Sequence, residues 1–116
     1  MITGAHVILY SRNPEADRAF LRDLLGLRSV DAGGGWTIVA LPPAEVAVHP
    51  TENSGAVELY LVCDDVDATV AELGARGVTF TEPVSDQGWG RLTGIRLPGG
   101  GTVGLYEARH PTAFHL

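Results

Sequence analysis

A chain of 116 residues, 45% hydrophobic and 19% charged, suits one packed domain or two small fused halves and is too apolar to be disordered. Its net charge of −6 and pI of about 5.0 weigh against nucleic acid and anionic membrane surfaces as partners. No apolar run approaches the roughly 20 residues that span a bilayer, no signal peptide is read at the N-terminus, and a single cysteine, Cys63, precludes an internal disulfide, so a soluble cytoplasmic protein is expected.

The first expected element is a strand in "GAHVILYS", where Val7, Ile8, Leu9 and Tyr10 are β-branched, aliphatic or aromatic. A helix follows: Asn13 can cap it, Pro14 suits its first position, and Glu15 and Asp17 favour the positive end of its dipole. Phe20, Leu21, Leu24 and Leu25 form its apolar stripe and Gly26 ends it. Three strand-like runs come next, "LRSVDA", "WTIVAL" and "EVAVH", joined by turns at "GGG" (33–35) and "PP" (42–43).

The same order then recurs. The stretch 58–78, "ELYLVCDDVDATVAELGARGV", lies over 6–27 with an offset of 58 − 6 = 52 and one slip inside the helix. Asp65 caps the second helix, Val66, Val70 and Leu73 recur at helical spacing, and Gly77 stops it. The strand-like runs "VTFTEPV", "RLTGIRL" and "TVGLYE" follow, with turns at "SDQGWG" (85–90) and "PGGG" (98–101). Neither "GGG" follows a strand and opens a helix, so neither reads as a phosphate loop. The expected fold class is α+β: two tandem βαβββ modules forming a curved mixed sheet around a cleft, with helices on the outer face. As a single domain over 1–116, it comprises module one at 4–50, a linker at 51–56, module two at 57–107 and a tail at 108–116.

Alternation sorts the faces. Leu59, Leu61 and Cys63 oppose Glu58, Tyr60 and Val62, and Val7 and Leu9 oppose His6, Ile8 and Tyr10. Val46 and Val48, with Val103 and Leu105, are expected to face the helices, whereas Ala47, His49, Gly104 and Tyr106 look the other way. Cys63 then reads as a small buried hydrophobe rather than a nucleophile. A polar and aromatic face on a curved sheet describes a ligand cleft.

The repeated βαβββ order, the opening "HVILYSRNPEADRAFLRDLLGL", "VELYLVCDDVDATVAELGARGVTF" and the closing "RLTGIRLPGGGTVGLYE" resemble the vicinal oxygen chelate superfamily of glyoxalase I, bleomycin-resistance proteins and extradiol dioxygenases. The resemblance covers residues 4–107; the family's common Asp-Pro-Asp-Gly turn reads "PGGG" here. It implies a homodimer with clefts near the interface. In metal-dependent members each module supplies one ligand from its first strand and one from its fourth, which carries over to His6, Ala47, Glu58 and Gly104. Ala47 and Gly104 offer no side-chain ligand, so no metal site is assigned; a divalent metal held by His6, Glu58 and His49 would require His49 to move about 6–7 Å along its strand.

His6 and Glu58 are the candidate catalytic residues. A carboxylate beside an imidazole raises its pKa and orients it for proton abstraction next to a carbonyl, and the alternative is a hydrogen-bonded structural pair. Tyr10, Trp36, His49, Tyr60, Trp89 and Tyr106 are the candidate ligand-binding residues, their rings suited to planar compounds or to filling the core. Trp89, in the Gly-flanked "DQGWGRL", is a candidate lid. Arg91 and Arg96 are read as solvated or paired with the excess acid, and His110 and His115 as parts of a surface or subunit contact. The leading expectation is a binder that sequesters a hydrophobic or aromatic small molecule, with a possible antibiotic-resistance role and no required cofactor. The alternatives are a lyase, isomerase or dioxygenase using His6 and Glu58, and an interaction protein with a filled cleft.

Overall fold

The structure, a computed structural model, describes residues 6–52 and 55–116. Residues 4 and 5 of the expected first module and 53 and 54 of the expected linker lie outside the described residues. In the first half, Asn13 Oδ1 accepts the Ala16 N–H at 3.2 Å and starts α1 (Pro14–Ala19). The helix widens into a π-turn over Phe20–Leu24, where the Leu25 N–H reaches the Phe20 carbonyl, and Gly26, at φ 72°, ends it. β1 (Ser29–Asp31) and β2 (Thr37–Val39) form an antiparallel hairpin. Its turn carries three successive glycines with positive φ, conformations closed to most side chains, and Asp31 Oδ1 accepts the Gly33 N–H at 2.7 Å.

The second half follows the expected order except that its third element, β4, forms at 85–86, within the stretch expected to be a turn. After β3 (Tyr60–Val62), Asp65 Oδ1 accepts the Ala68 N–H at 3.1 Å and caps α2 (Val66–Ala75). The Val78 N–H bonds to the Leu73 carbonyl and that of Gly77 to the Gly74 carbonyl, closing the helix as a Schellman motif. β4 (Ser85–Asp86), β5 (Gly90–Arg96) and β6 (Thr102–Ala108) complete a four-stranded sheet of order β3-β6-β5-β4, with β3 parallel to β6 and the other pairs antiparallel.

One sheet face meets α2 and the first helix. Val103, Leu105 and Ile95 are buried there with Val66, Leu73 and Phe20, and Leu59, Leu61 and Cys63 pack against them. The alternation read from the sequence is therefore the alternation of this sheet. Among the described residues, two hydrogen bonds tie module one to module two. The buried Asp17 accepts the Gly99 N–H at 2.7 Å, and Arg76 Nη1 donates to the Leu24 carbonyl at 3.2 Å.

Three expected strands come out differently. Residues 6–11 and 45–49 join no ladder among the described residues, and Val46 and Val48, expected to face a helix, are 89% and 92% exposed. A strand forms only when another backbone pairs with it, and none of the described residues pairs with these segments. "VTFTEPV" shrinks to a bridge between Phe80 and Ile95, because Pro83 has no N–H to give a ladder. No helix among the described residues is long and apolar enough to cross a membrane.

Candidate functional site

The sheet face turned away from the helices carries an aromatic cluster centred on Tyr106 of β6. Tyr60 meets the Tyr106 ring edge-on at 5.7 Å and 85°, and Trp89 does so at 5.3 Å and 76°. Two glycines make room for it. A Cβ at Gly90 would press on the Tyr106 ring and the Glu107 carbonyl, each at 3.0 Å, and a Cβ at Gly104 would lie inside the Tyr60 ring. In the parallel ladder Tyr60 is the direct partner of Gly104, so its ring covers the place a side chain at 104 would take. Beside Tyr60 is a cavity of about 320 Å³ walled by Glu58, Thr81, Leu92, Gly94 and Gly104 among others.

The cluster is braced from three directions. The Tyr60 hydroxyl donates to Glu58 Oε2 at 2.9 Å. The Tyr106 hydroxyl lies 3.2 Å from His110 Nε2, while His110 Nδ1 lies 2.8 Å from the Pro111 carbonyl. The Trp89 loop is held by its own carbonyl, which accepts the Arg109 N–H at 2.9 Å, and by the Arg109–Asp86 ion pair at 2.6 Å. Burial, together with the bond to Glu58 and its charge, holds the Tyr60 phenol above its usual pKa. Burial and the negative charge of Glu45 do the same for Tyr106. Burial also pushes the Cys63 thiol up, aided by the charges of Glu107, Asp64 and Asp65, and only the Thr69 hydroxyl opposes this. Cys63 therefore lacks the low-pKa setting of a nucleophile.

Of the residues singled out in the sequence, Tyr60, Trp89 and Tyr106 come together, with Glu58 beside them. The others lie elsewhere in this chain. His6 and His49 are exposed, and Glu58 holds Tyr60. Tyr10, 92% exposed, borders a separate open depression with Ser11, Arg12 and the glycines 99–101. Trp36 stands on the hairpin with the Arg18 guanidinium 4.6 Å from its ring centre. Arg91 pairs with Asp67 of α2 at 2.6 Å, and Arg96 is exposed. His110, read from the sequence as part of a surface or subunit contact, lies with its ring 6.0 Å from that of Tyr106; the period-two step 106, 108, 110 was the available signal.

The family-type metal corners do not fit a four-cornered site here. Ala47 and Gly104 bring no donor atom, and the Tyr60 ring stands at the Gly104 corner. Among the described residues, no three His, Cys, Asp or Glu side chains gather so as to hold a metal ion.

A family model for the Glyoxalase/Bleomycin resistance protein/Dioxygenase superfamily matches residues 4–105. The chain belongs to this superfamily. Solved structures agree with that membership. TnmS3, an antibiotic binding protein from Streptomyces sp. CB03234, is 28% identical, with a TM-score of 0.63 and coverage of 93% of this chain and 99% of that one. A superfamily member from Sphaerobacter thermophilus is 26% identical, with a TM-score of 0.57 over 91% and 98% of the two chains. A lactoylglutathione lyase from Agrobacterium tumefaciens is 22% identical, with a TM-score of 0.58 over 90% and 92%, a likeness of fold alone. No curated protein matches. The superfamily includes both enzymes and binders, so the chemistry must be argued from the site.

Proposed function

We propose that this protein binds and sequesters a planar, largely apolar small molecule of antibiotic type against the Tyr60–Tyr106–Trp89 cluster, without a complete metal site. The observation that carries this is a run of three edge-on rings whose first member, Tyr60, lines a cavity of about 320 Å³. Rings held edge-on offer flat apolar surface at little entropic cost, and the Tyr60 ring stands where a metal ligand would otherwise project. The likeness to an antibiotic binding protein supports the same reading, and the cavity beside Glu58 counts against a filled cleft.

The proposal includes a homodimer. Residues 6–10 and 44–50 are exposed, or nearly so, along most of their length although Ile8, Val46 and Val48 are apolar, and β3 has an open edge. An unpaired apolar segment and an open edge call for a second backbone. A second chain would also bring strands carrying His6, Tyr10 and His49 toward a cleft, completing the walls read from the sequence. Sedimentation of the wild type and of Val48→Asp tests this, with a dimer expected in the first and a monomer in the second.

Trp89 emission, read in a Trp36→Phe background, tests the ligand reading. Titration with a panel of flavones, acridines, phenazines and other planar natural products should quench it saturably, and Tyr106→Ala should weaken that binding at least tenfold. A broad panel with no saturable response refutes it. The enzymatic alternative rests on Glu58 lining the cavity, with His6 as its partner. It requires that His6→Ala abolish turnover of any substrate found.

A further inference from the structure

One row of residues crosses the sheet at the floor of the cavity. Tyr60 of β3 is the ladder partner of Gly104, Gly104 is the partner of Gly94, and the Thr81 N–H reaches the Gly94 carbonyl at 2.8 Å. All four residues line the cavity. The two glycines in the middle leave bare backbone, and Tyr60 and Thr81 lean over it from either end, where a Cβ at Gly104 or Gly94 would meet them. Glu58, two residues before Tyr60, lines the cavity at one end of the row, and Glu82, next to Thr81, lines it at the other. Both are anchored. Glu58 Oε2 accepts the Tyr60 hydroxyl at 2.9 Å, and the Glu82 carbonyl accepts the Thr93 hydroxyl at 2.6 Å. Every other lining residue is apolar, a glycine or a hydroxyl carrier, and among the described residues no Arg or His lines the cavity. The ion pairs of the described residues go elsewhere: Asp23, Asp67, Glu72 and Asp86 each take an arginine, and Glu58 and Glu82 take none.

We infer that the planar compound held in this cavity is a cation, a ring system with a positive ring nitrogen or a protonated amine, whose charge is matched by Glu58 and Glu82 and whose rings lie against Tyr60. The argument is one of compensation. A neutral ligand settling between these walls strips water from the carboxylates and returns no charge, and an anion adds repulsion. A cation strips the same water and supplies the missing counter-charge. Tyr60 works in the same direction, because a positive charge is attracted to the face of a phenol ring, and a phenol that donates its proton to a carboxylate has the more electron-rich face. The acidic net charge of −6 draws cations toward the chain as a whole, and these two residues fix the charge at the cavity. The inference rests on the planar-ligand reading above and adds the sign of the ligand's charge.

Calorimetric titration in low-salt buffer at pH 8 tests it with three probes built on one planar frame: 10-methylacridinium, 9-methylacridine and acridine-9-carboxylate, respectively a cation, a neutral compound and an anion. The wild type should bind the cation about tenfold more tightly than the neutral compound, and the anion least. Glu58→Gln/Glu82→Gln keeps both side-chain shapes and an acceptor for the Tyr60 hydroxyl but removes both charges, so the ratio of cation to neutral binding should fall toward one. Glu15→Gln/Glu72→Gln removes the same net charge from exposed positions on α1 and α2, across the sheet from the cavity, and should leave the ratio as it is. An equal fall in both double variants would trace the preference to the field of the whole chain and overturn the inference. Equal binding of cation and neutral compound by the wild type also overturns it and leaves the planar-ligand reading standing. Failure of all three probes to bind overturns the two together.

Discussion

Gly104→Ala is the sharpest probe of how this site is built. A Cβ at 104 would lie within the Tyr60 ring, so the ring must swing off the sheet. Tyr60 would then lose its edge-on contact with Tyr106, about 0.5–1.5 kcal/mol, and its bond to Glu58, about 1 kcal/mol at this half-exposed position. Against this, Gly104 does not have a positive φ, and alanine in a strand recovers about 0.5–1 kcal/mol of chain entropy. The net expectation is a loss of about 0.5–2 kcal/mol in urea denaturation followed by circular dichroism. In a Tyr60→Ala background the obstruction is gone, and the same change should be neutral or stabilising. The cycle should therefore give a coupling of about 2 kcal/mol. An equal loss in both backgrounds would show that Tyr60 does not occupy the space over Gly104, and the account of this corner would fall.

Three further outcomes follow from the same geometry. Gly99→Ala puts a Cβ against the Asp17 carboxylate and the Ser11 hydroxyl, so it should break the Asp17–Gly99 bond joining α1 to the β5–β6 turn and cost about 1–3 kcal/mol in the same denaturation assay. Tyr60 and Tyr106 titrate above the usual phenol value of 10.0 when folded, so the unfolded chain loses their protons first as pH rises. Stability from this source is therefore present below pH 10.0 and is lost as pH climbs through the raised folded values; denaturation across the alkaline range should show the fall, and Tyr60→Phe/Tyr106→Phe should reduce it. Cys63, raised by burial, should react with iodoacetamide at pH 8 many times more slowly in the folded protein than in urea, and rapid labelling of the folded chain would contradict its packing in the core.

What could be read from the sequence divides by whether an element finds its neighbour within the chain. Asp65, Gly77, Val103 and Leu105 behave as read because every element they belong to finds its neighbour within the chain: β3 lies along β6, β6 along β5, and α2 on their apolar face. Periodicity records which face of a strand is apolar. It does not record which backbone the strand lies beside. Residues 6–11 and 45–49 carry the same alternating pattern, yet among the described residues they pair with no strand. Their outer residues show the pattern only as a difference of degree, with Val7 and Leu9 39% and 38% exposed against 63% and 92% for Ile8 and Tyr10. The corner alignment named Glu58 and Gly104 as the second module's two corners, whereas in the ladder Gly104 is paired with Tyr60, two residues beyond Glu58. The aromatic cluster assembled where the central strand β6 supplies Tyr106, and the candidates that stayed apart, Tyr10, Trp36 and His49, all belong to the first half. Under the proposed homodimer these are the residues whose surroundings a second chain would supply. Val48→Asp should then change the environment of Trp36 and leave the Trp89–Tyr106 contact intact, which separate tryptophan emission in Trp36→Phe and Trp89→Phe backgrounds would resolve.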